Sequence, residues 1–123
     1  MSSTRFALAA VVLLLCSGCG SSYSTPTTPT TPGSGNNGTP VSIVSGASIL
    51  TTSAYSPSPV TVAVGGSVTW SNNDNIAHTS TGPNWNSGSI NPGGKFTTTF
   101  SAPGTFTYHC TIHPGMTGTV TVQ

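Results

Sequence analysis

The run Phe106-Thr107-Tyr108-His109-Cys110-Thr111-Ile112-His113-Pro114-Gly115-Met116-Thr117-Gly118-Thr119-Val120-Thr121-Val122 decides the fold. Phe106, Tyr108 and Cys110 alternate with polar residues in its first part, as Val120 and Val122 do in its last. A period of two marks a strand with one face buried. Between the two alternations lies the turn pair Pro114-Gly115. The whole reads as strand, tight loop, strand. Cys110 shares a face with Phe106 and Tyr108 and should point into the core, whereas His109 should point out.

The same period recurs upstream. Val60, Val62 and Val64 alternate with Thr61 and Ala63, and Val68 and Trp70 follow the pair Gly65-Gly66, which predicts a β-hairpin. Phe96, Thr98 and Phe100 form a further alternating run. From residue 41 onward there is one Lys, no Arg, no Glu and little Leu, while Thr, Val, Ser and Gly dominate, so long amphipathic helices are excluded. Short strands separated by Gly, Pro and Asn predict an all-β domain, an antiparallel sandwich or barrel. Trp70 is expected in its core. Trp85, in a loop with Pro83 and Asn84, suits either packing or contact with a partner.

The front of the chain has another character. Arg5 precedes the apolar run Ala7 to Leu15, about half the ~20 residues that a spanning helix needs. Residues 1–18 read as a signal peptide. The segment ends in Cys16-Ser17-Gly18-Cys19, and small residues before a cysteine resemble the bacterial lipobox, so Cys19 is the expected lipidation site. Cys16, standing where the lipobox usually has Leu, departs from that pattern. Neither a redox pair nor haem attachment fits the C-x-x-C spacing, because it lies in the leader and is followed by Gly20. Residues 19–40, rich in Thr, Pro, Gly and Ser, read as an extended tether. The folded domain is expected over residues 41–123, roughly 80 residues and near the lower limit for an unaided core.

Charge narrows the function. The chain has two residues among Lys and Arg and one among Asp and Glu, so 2% is charged where about 25% is usual. A basic nucleic-acid face, a polybasic membrane patch and a paired-carboxylate hydrolase are all excluded. No nucleic-acid partner is expected. Membrane contact would come through the N-terminal anchor, and a monomer is expected.

The loop carries the chemistry. Cys110, His113 and Met116 place a thiolate, an imidazole and a thioether on one turn, and His78, just beyond the Val68/Trp70 strand, can supply a fourth donor. Singly, a cysteine ending a strand is usually a small buried hydrophobe and a histidine near a turn a solvated loop residue. Jointly they point elsewhere. Met116 is the only methionine besides the initiator, Cys110 is the only cysteine outside the leader and its expected lipidation site, and the two bracket His113. Two His and one Cys with a weak axial Met form the type 1 copper pattern, whereas structural zinc sites use four Cys or His. A nucleophilic Cys/His pair would need a substrate cleft, yet Cys110 should face inward. His109 reads as a surface residue.

From Tyr55 to the C-terminus the sequence resembles the small cupredoxins of the plastocyanin and amicyanin type. The resemblance is carried by Tyr55-Ser56-Pro57, Gly65-Gly66-Ser67-Val68-Thr69-Trp70, Asn72-Asn73-Asp74, His78-Thr79, Pro92-Gly93-Gly94, Pro103-Gly104 and Tyr108-His109-Cys110 through Val122. The C-x-x-H-x-x-M spacing is similar to the short ligand loop of amicyanins. The resemblance implies a Greek-key β-sandwich holding one copper, with His78, Cys110, His113 and Met116 as its ligands. Thr79 stands where many members have Asn; its backbone N–H toward the thiolate is kept, and the side-chain tie between the ligand loops is left open. Pro114, lacking an N–H, offers the sulfur nothing, which favours Cu(II).

The expected function is single-electron transfer between redox proteins of the bacterial cell envelope, without enzymatic activity, from a lipid-anchored position or as a soluble periplasmic or secreted protein. Copper storage or delivery is the alternative. The family implies docking at His113, Pro114 and Gly115, with Ile76, Ala77, Pro83 and Ile112 as candidates for an apolar collar.

Overall fold

The computed structural model describes residues 38–123; the expected leader, the Cys19 lipidation site and most of the expected tether lie outside them. Seven strands follow in order: β1 (Thr39–Ile43), β2 (Tyr55–Ser56), β3 (Val60–Val62), β4 (Ser67–Asn72), β5 (Lys95–Thr99), β6 (Gly104–His109) and β7 (Thr117–Val122). A single 3-10 turn, Ala47–Ile49, sits between β1 and β2. The strands form two sheets, ordered β2-β1-β4-β5 and β3-β7-β6. The all-β reading holds.

Two expectations are corrected. First, β3 and β4 are not a hairpin: β3 pairs with β7 and β4 with β1 and β5, in different sheets. Alternation gives the buried face of a strand but not its neighbour. Val60 and Val62 on one side and Val68 and Trp70 on the other meet the same interior from opposite sheets. The Gly65-Gly66 pair is thus a crossing between sheets. Gly65, at φ 84°, donates its N–H to the Phe100 carbonyl (2.7 Å), and the Phe100 N–H donates to the Gly66 carbonyl (2.9 Å). Second, the sandwich is mixed, since β1 runs parallel to β4 and β3 parallel to β7. β1 begins at Thr39, inside the Thr/Pro/Gly-rich stretch, and Val41 and Ile43 are its buried positions.

The core lies between the sheets. Trp70 is fully buried, as expected, and meets the Tyr108 ring edge-on at 5.3 Å. Trp85 stacks on Trp70 at 5.9 Å, so the loop tryptophan does pack. With almost no charge available, the exposed face of β4 and β5 is knitted by hydroxyl pairs, Ser67 with Thr99 (2.7 Å) and Thr69 with Thr97 (2.8 Å).

Gly118 of β7 lies opposite Tyr108 of β6, and a Cβ at that position would overlap the Tyr108 ring. This ring shares its strand face with Cys110. Gly118→Ala should cost about 1–3 kcal/mol by overpacking, read from the urea midpoint, whereas Gly115→Ala on the ligand loop should be nearly neutral.

Candidate metal centre

The β6–β7 connection is short and closed on itself. The Cys110 N–H donates to the Met116 carbonyl (3.1 Å) and the Met116 N–H to the His113 carbonyl (2.9 Å), so one tight loop holds all three residues. Cys110 and Met116 are fully buried, His113 is half-buried, and Pro114 and Gly115 are exposed. The flank is fixed by the Thr117 N–H, which donates to the Thr51 carbonyl (3.2 Å). His109 points outward as the alternation requires; its backbone pairs with Thr81, and its side chain takes no part in the cluster.

His78 arrives from the other side. It exchanges backbone hydrogen bonds with Ile90 (3.2 and 2.7 Å) and is fully buried. Its ring is held by Asp74: Nε2 lies 2.8 Å from Asp74 Oδ2. Asp74 also accepts hydrogen bonds from the backbone N–H groups of Gly46 (3.0 Å), Ala47 (3.2 Å) and Asn75 (2.8 Å). The Gly46 N–H above all, then His78 and the Asn75 N–H, hold the Asp74 carboxyl down to about 2, so it is ionised near neutrality. An ionised carboxylate fixes the proton of a neutral imidazole on Nε2 and leaves Nδ1 with a free lone pair.

That lone pair has company. His78 Nδ1, His113 Nδ1 and Cys110 Sγ form a triangle with sides of 3.2, 3.8 and 3.9 Å. Its centre lies about 2.1 Å from each corner, within the range of about 2.0–2.3 Å that metal bonds to imidazole nitrogen and thiolate sulfur span. The three donors are therefore spaced for one metal ion. Two imidazoles and a thiolate, with Met116 on the same loop, form a donor set that fits a single type 1 copper.

Thr79 supplies the surroundings. Its backbone N–H donates to Cys110 Sγ (3.3 Å), and its hydroxyl accepts from the Thr111 N–H (2.8 Å). The tie between the two ligand segments, open in the sequence, is made by this hydroxyl. The Thr79 carbonyl accepts from the Tyr55 hydroxyl, whose phenol is pushed well up, first by burial and then by the neighbouring Cys110 and Tyr108. Sequence reading missed Asp74 and Tyr55 in these roles. Asp74 had a signal: it is the only acidic side chain of the protein, four residues before His78.

Removal of an outer partner of a metal-bound histidine typically weakens metal affinity about 10–100-fold. Asp74→Ala should weaken copper binding by that order in competition with a chelator. Retained affinity with an intact fold would show that Ile90 alone orients the ring.

The comparisons agree with this geometry. The family model of copper-binding proteins, plastocyanin/azurin family, matches residues 43–123. Among solved structures, a purple cupredoxin from Nitrosopumilus maritimus is 31% identical, with a TM-score of 0.65, over 69% of this chain and 99% of that one. A reduced Cu(I) form of an amicyanin variant is 26% identical, with a TM-score of 0.60, over 72% of this chain and 85% of that one. A copper-containing nitrite reductase from Thermus scotoductus shares the fold at 22% identity and a TM-score of 0.58, over 70% of this chain and 22% of that one. With the family model spanning β2 to β7 and a donor triangle of the right size at the end of the sandwich, the chain belongs to the plastocyanin/azurin family of copper-binding proteins.

Proposed function

We propose that the chain is a one-electron carrier of the cell envelope, not an enzyme, in which His78, Cys110 and His113, with Met116 as a weaker donor, would hold one copper. The observation that carries this reading is the donor triangle, already spaced for a metal and fixed by strands and buried hydrogen bonds. Bound there, copper would cycle between Cu(I) and Cu(II). The residues contribute a cage that neither oxidation state needs to rearrange: Asp74 holds one imidazole, the loop hydrogen bonds hold the other, and the Thr79 N–H steadies the sulfur. Pro114 has no N–H to add. Full burial of His78 and Cys110 supports a carrier over a delivery protein, which needs ligands that a recipient can reach.

His113 is the route out. It is half-buried; Ile112 (49%), Ile76 (39%), Pro83, Pro114 and Gly115 are exposed and Ala77 is half-buried, and in our proposal these residues form an apolar rim around it. On this reading, that apolar rim docks redox proteins. In our proposal a lipid at Cys19 holds the domain at the membrane, outside the cytoplasm, where its partners meet it.

The rim has no charged side chain, and the domain carries only Lys95 and the buried Asp74, so long-range steering should be weak. A Cβ on Gly115 meets only Thr51 Cγ2 at 3.9 Å, so a side chain fits there. Electron self-exchange should change little from low to moderate salt. Gly115→Asp should slow it at least several-fold, and Lys95→Asp much less. A steep salt dependence in the unmodified protein, or indifference to Gly115→Asp with an unchanged copper spectrum, would rule out this face.

A further inference from the structure

Trp85 belongs to no strand, yet two separate routes join it to the Cys110 sulfur. The first is hydrogen-bonded. The Trp85 indole Nε1–H donates to Ser80 Oγ (3.0 Å), Ser80 follows Thr79 in the chain, and the Thr79 N–H donates to Cys110 Sγ (3.3 Å). Thr79 and Ser80 are 4% and 0% exposed, so water does not compete for these bonds. The second route is aromatic. Tyr108, two residues before Cys110, has its ring centre 5.9 Å from that of Trp85. Trp70 bridges the same two rings, at 5.3 Å from Tyr108 and 5.9 Å from Trp85.

Trp85 also reaches the outside. It is half-buried and, with Asn84, Phe100 and Phe106, lines an open cleft of about 90 Å³. None of the cleft's lining residues belongs to the ligand loop: Phe106 lies near the start of β6, whereas that loop follows its end, and the cleft meets the proposed rim only where Pro83 precedes Asn84 in the chain.

We propose that Trp85 is a second electron port, through which a one-electron outer-sphere acceptor takes an electron from the reduced site without using His113. The proposal rests on the carrier reading. One electron leaves the site at Cys110 and arrives on the acceptor; the site is oxidised by one unit, the acceptor is reduced by one, no bond breaks and no proton moves. The Ser80–Thr79 bonds and the Tyr108–Trp70 rings couple the sulfur to the indole, and the cleft brings the acceptor against the indole.

The test uses the full chain with an azide-bearing phenylalanine analogue in place of the exposed Asn84, coupled to a ruthenium(II) polypyridyl complex whose flash-excited state gives one electron to a dissolved viologen quencher and becomes ruthenium(III). In the copper-loaded protein, Cu(I) should be oxidised at least several-fold faster than in the same labelled chain carrying Trp85→Phe. Self-exchange through the His113 face, the visible spectrum and the reduction potential should be the same in both. In the copper-free labelled protein, the flash should leave a tryptophan radical that is lost in Trp85→Phe. An unchanged oxidation rate in Trp85→Phe, or no tryptophan radical in the copper-free chain with Trp85 present, overturns the port. Should Trp85→Phe not fold, Trp85→Tyr, in which the tryptophan radical should likewise be lost, takes its place in both measurements. Absence of self-exchange in the unmodified protein would instead overturn the carrier reading, so the two failures are distinct.

Discussion

Thr79 uses all three of its polar groups at the centre, two of them to join its halves. Its N–H reaches the Cys110 sulfur, its hydroxyl accepts from the Thr111 N–H, and its carbonyl takes the Tyr55 hydroxyl. His78 is its chain neighbour on one side, and Ser80, the acceptor for Trp85, on the other. Together with the Thr81–His109 backbone pair, this residue locks the segment after β4 to the end of β6, although Thr79 and Cys110 lie 31 positions apart in the chain. If that tie were loosened, the imidazole of His78 and the sulfur of Cys110 would drift separately. Buried hydrogen bonds of this kind gain strength from the low local dielectric and cost most when half-made.

A domain nearly free of charge must hold a metal site by other means. Its single side-chain carboxylate is placed where it has most effect, under the buried His78 ring, with the N–H groups of Gly46 and Ala47 closing on it. Elsewhere the chain relies on hydroxyls and on close packing: Ser and Thr pairs across β4 and β5, and aromatic rings interlocked between the sheets. The neutral exterior follows from the same economy of charge, and it favours partners that meet the domain through apolar contact.

Much of this was legible in the sequence because strand faces and ligand spacing are local properties. The alternation at Phe106, Tyr108 and Cys110 gave the inward cysteine, and the spacing of Cys110, His113 and Met116 gave the loop. Sheet partnership is not local. The Val60 and Val68 runs read as neighbours because two glycines separate them, and only the sandwich interior, to which both contribute, shows why they part. β1 was hidden because its first residues share the composition of the preceding Thr/Pro stretch, although Val41 and Ile43 kept the period. Asp74 escaped as a partner of His78 because four residues in a loop, unlike four in a helix, carry no fixed geometry. The Thr79 tie likewise depended on where Thr111 would fall across the site.

The central claim is that the thiolate of Cys110 and the imidazoles of His78 and His113 bind one copper in a common plane. The most direct test is the visible absorption spectrum of the full chain loaded with Cu(II). Thiolate-to-copper charge transfer should give an intense visible band, bleached on reduction and lost in Cys110→Ser. A colourless Cu(II) protein, or a band that survives Cys110→Ser, would contradict the account.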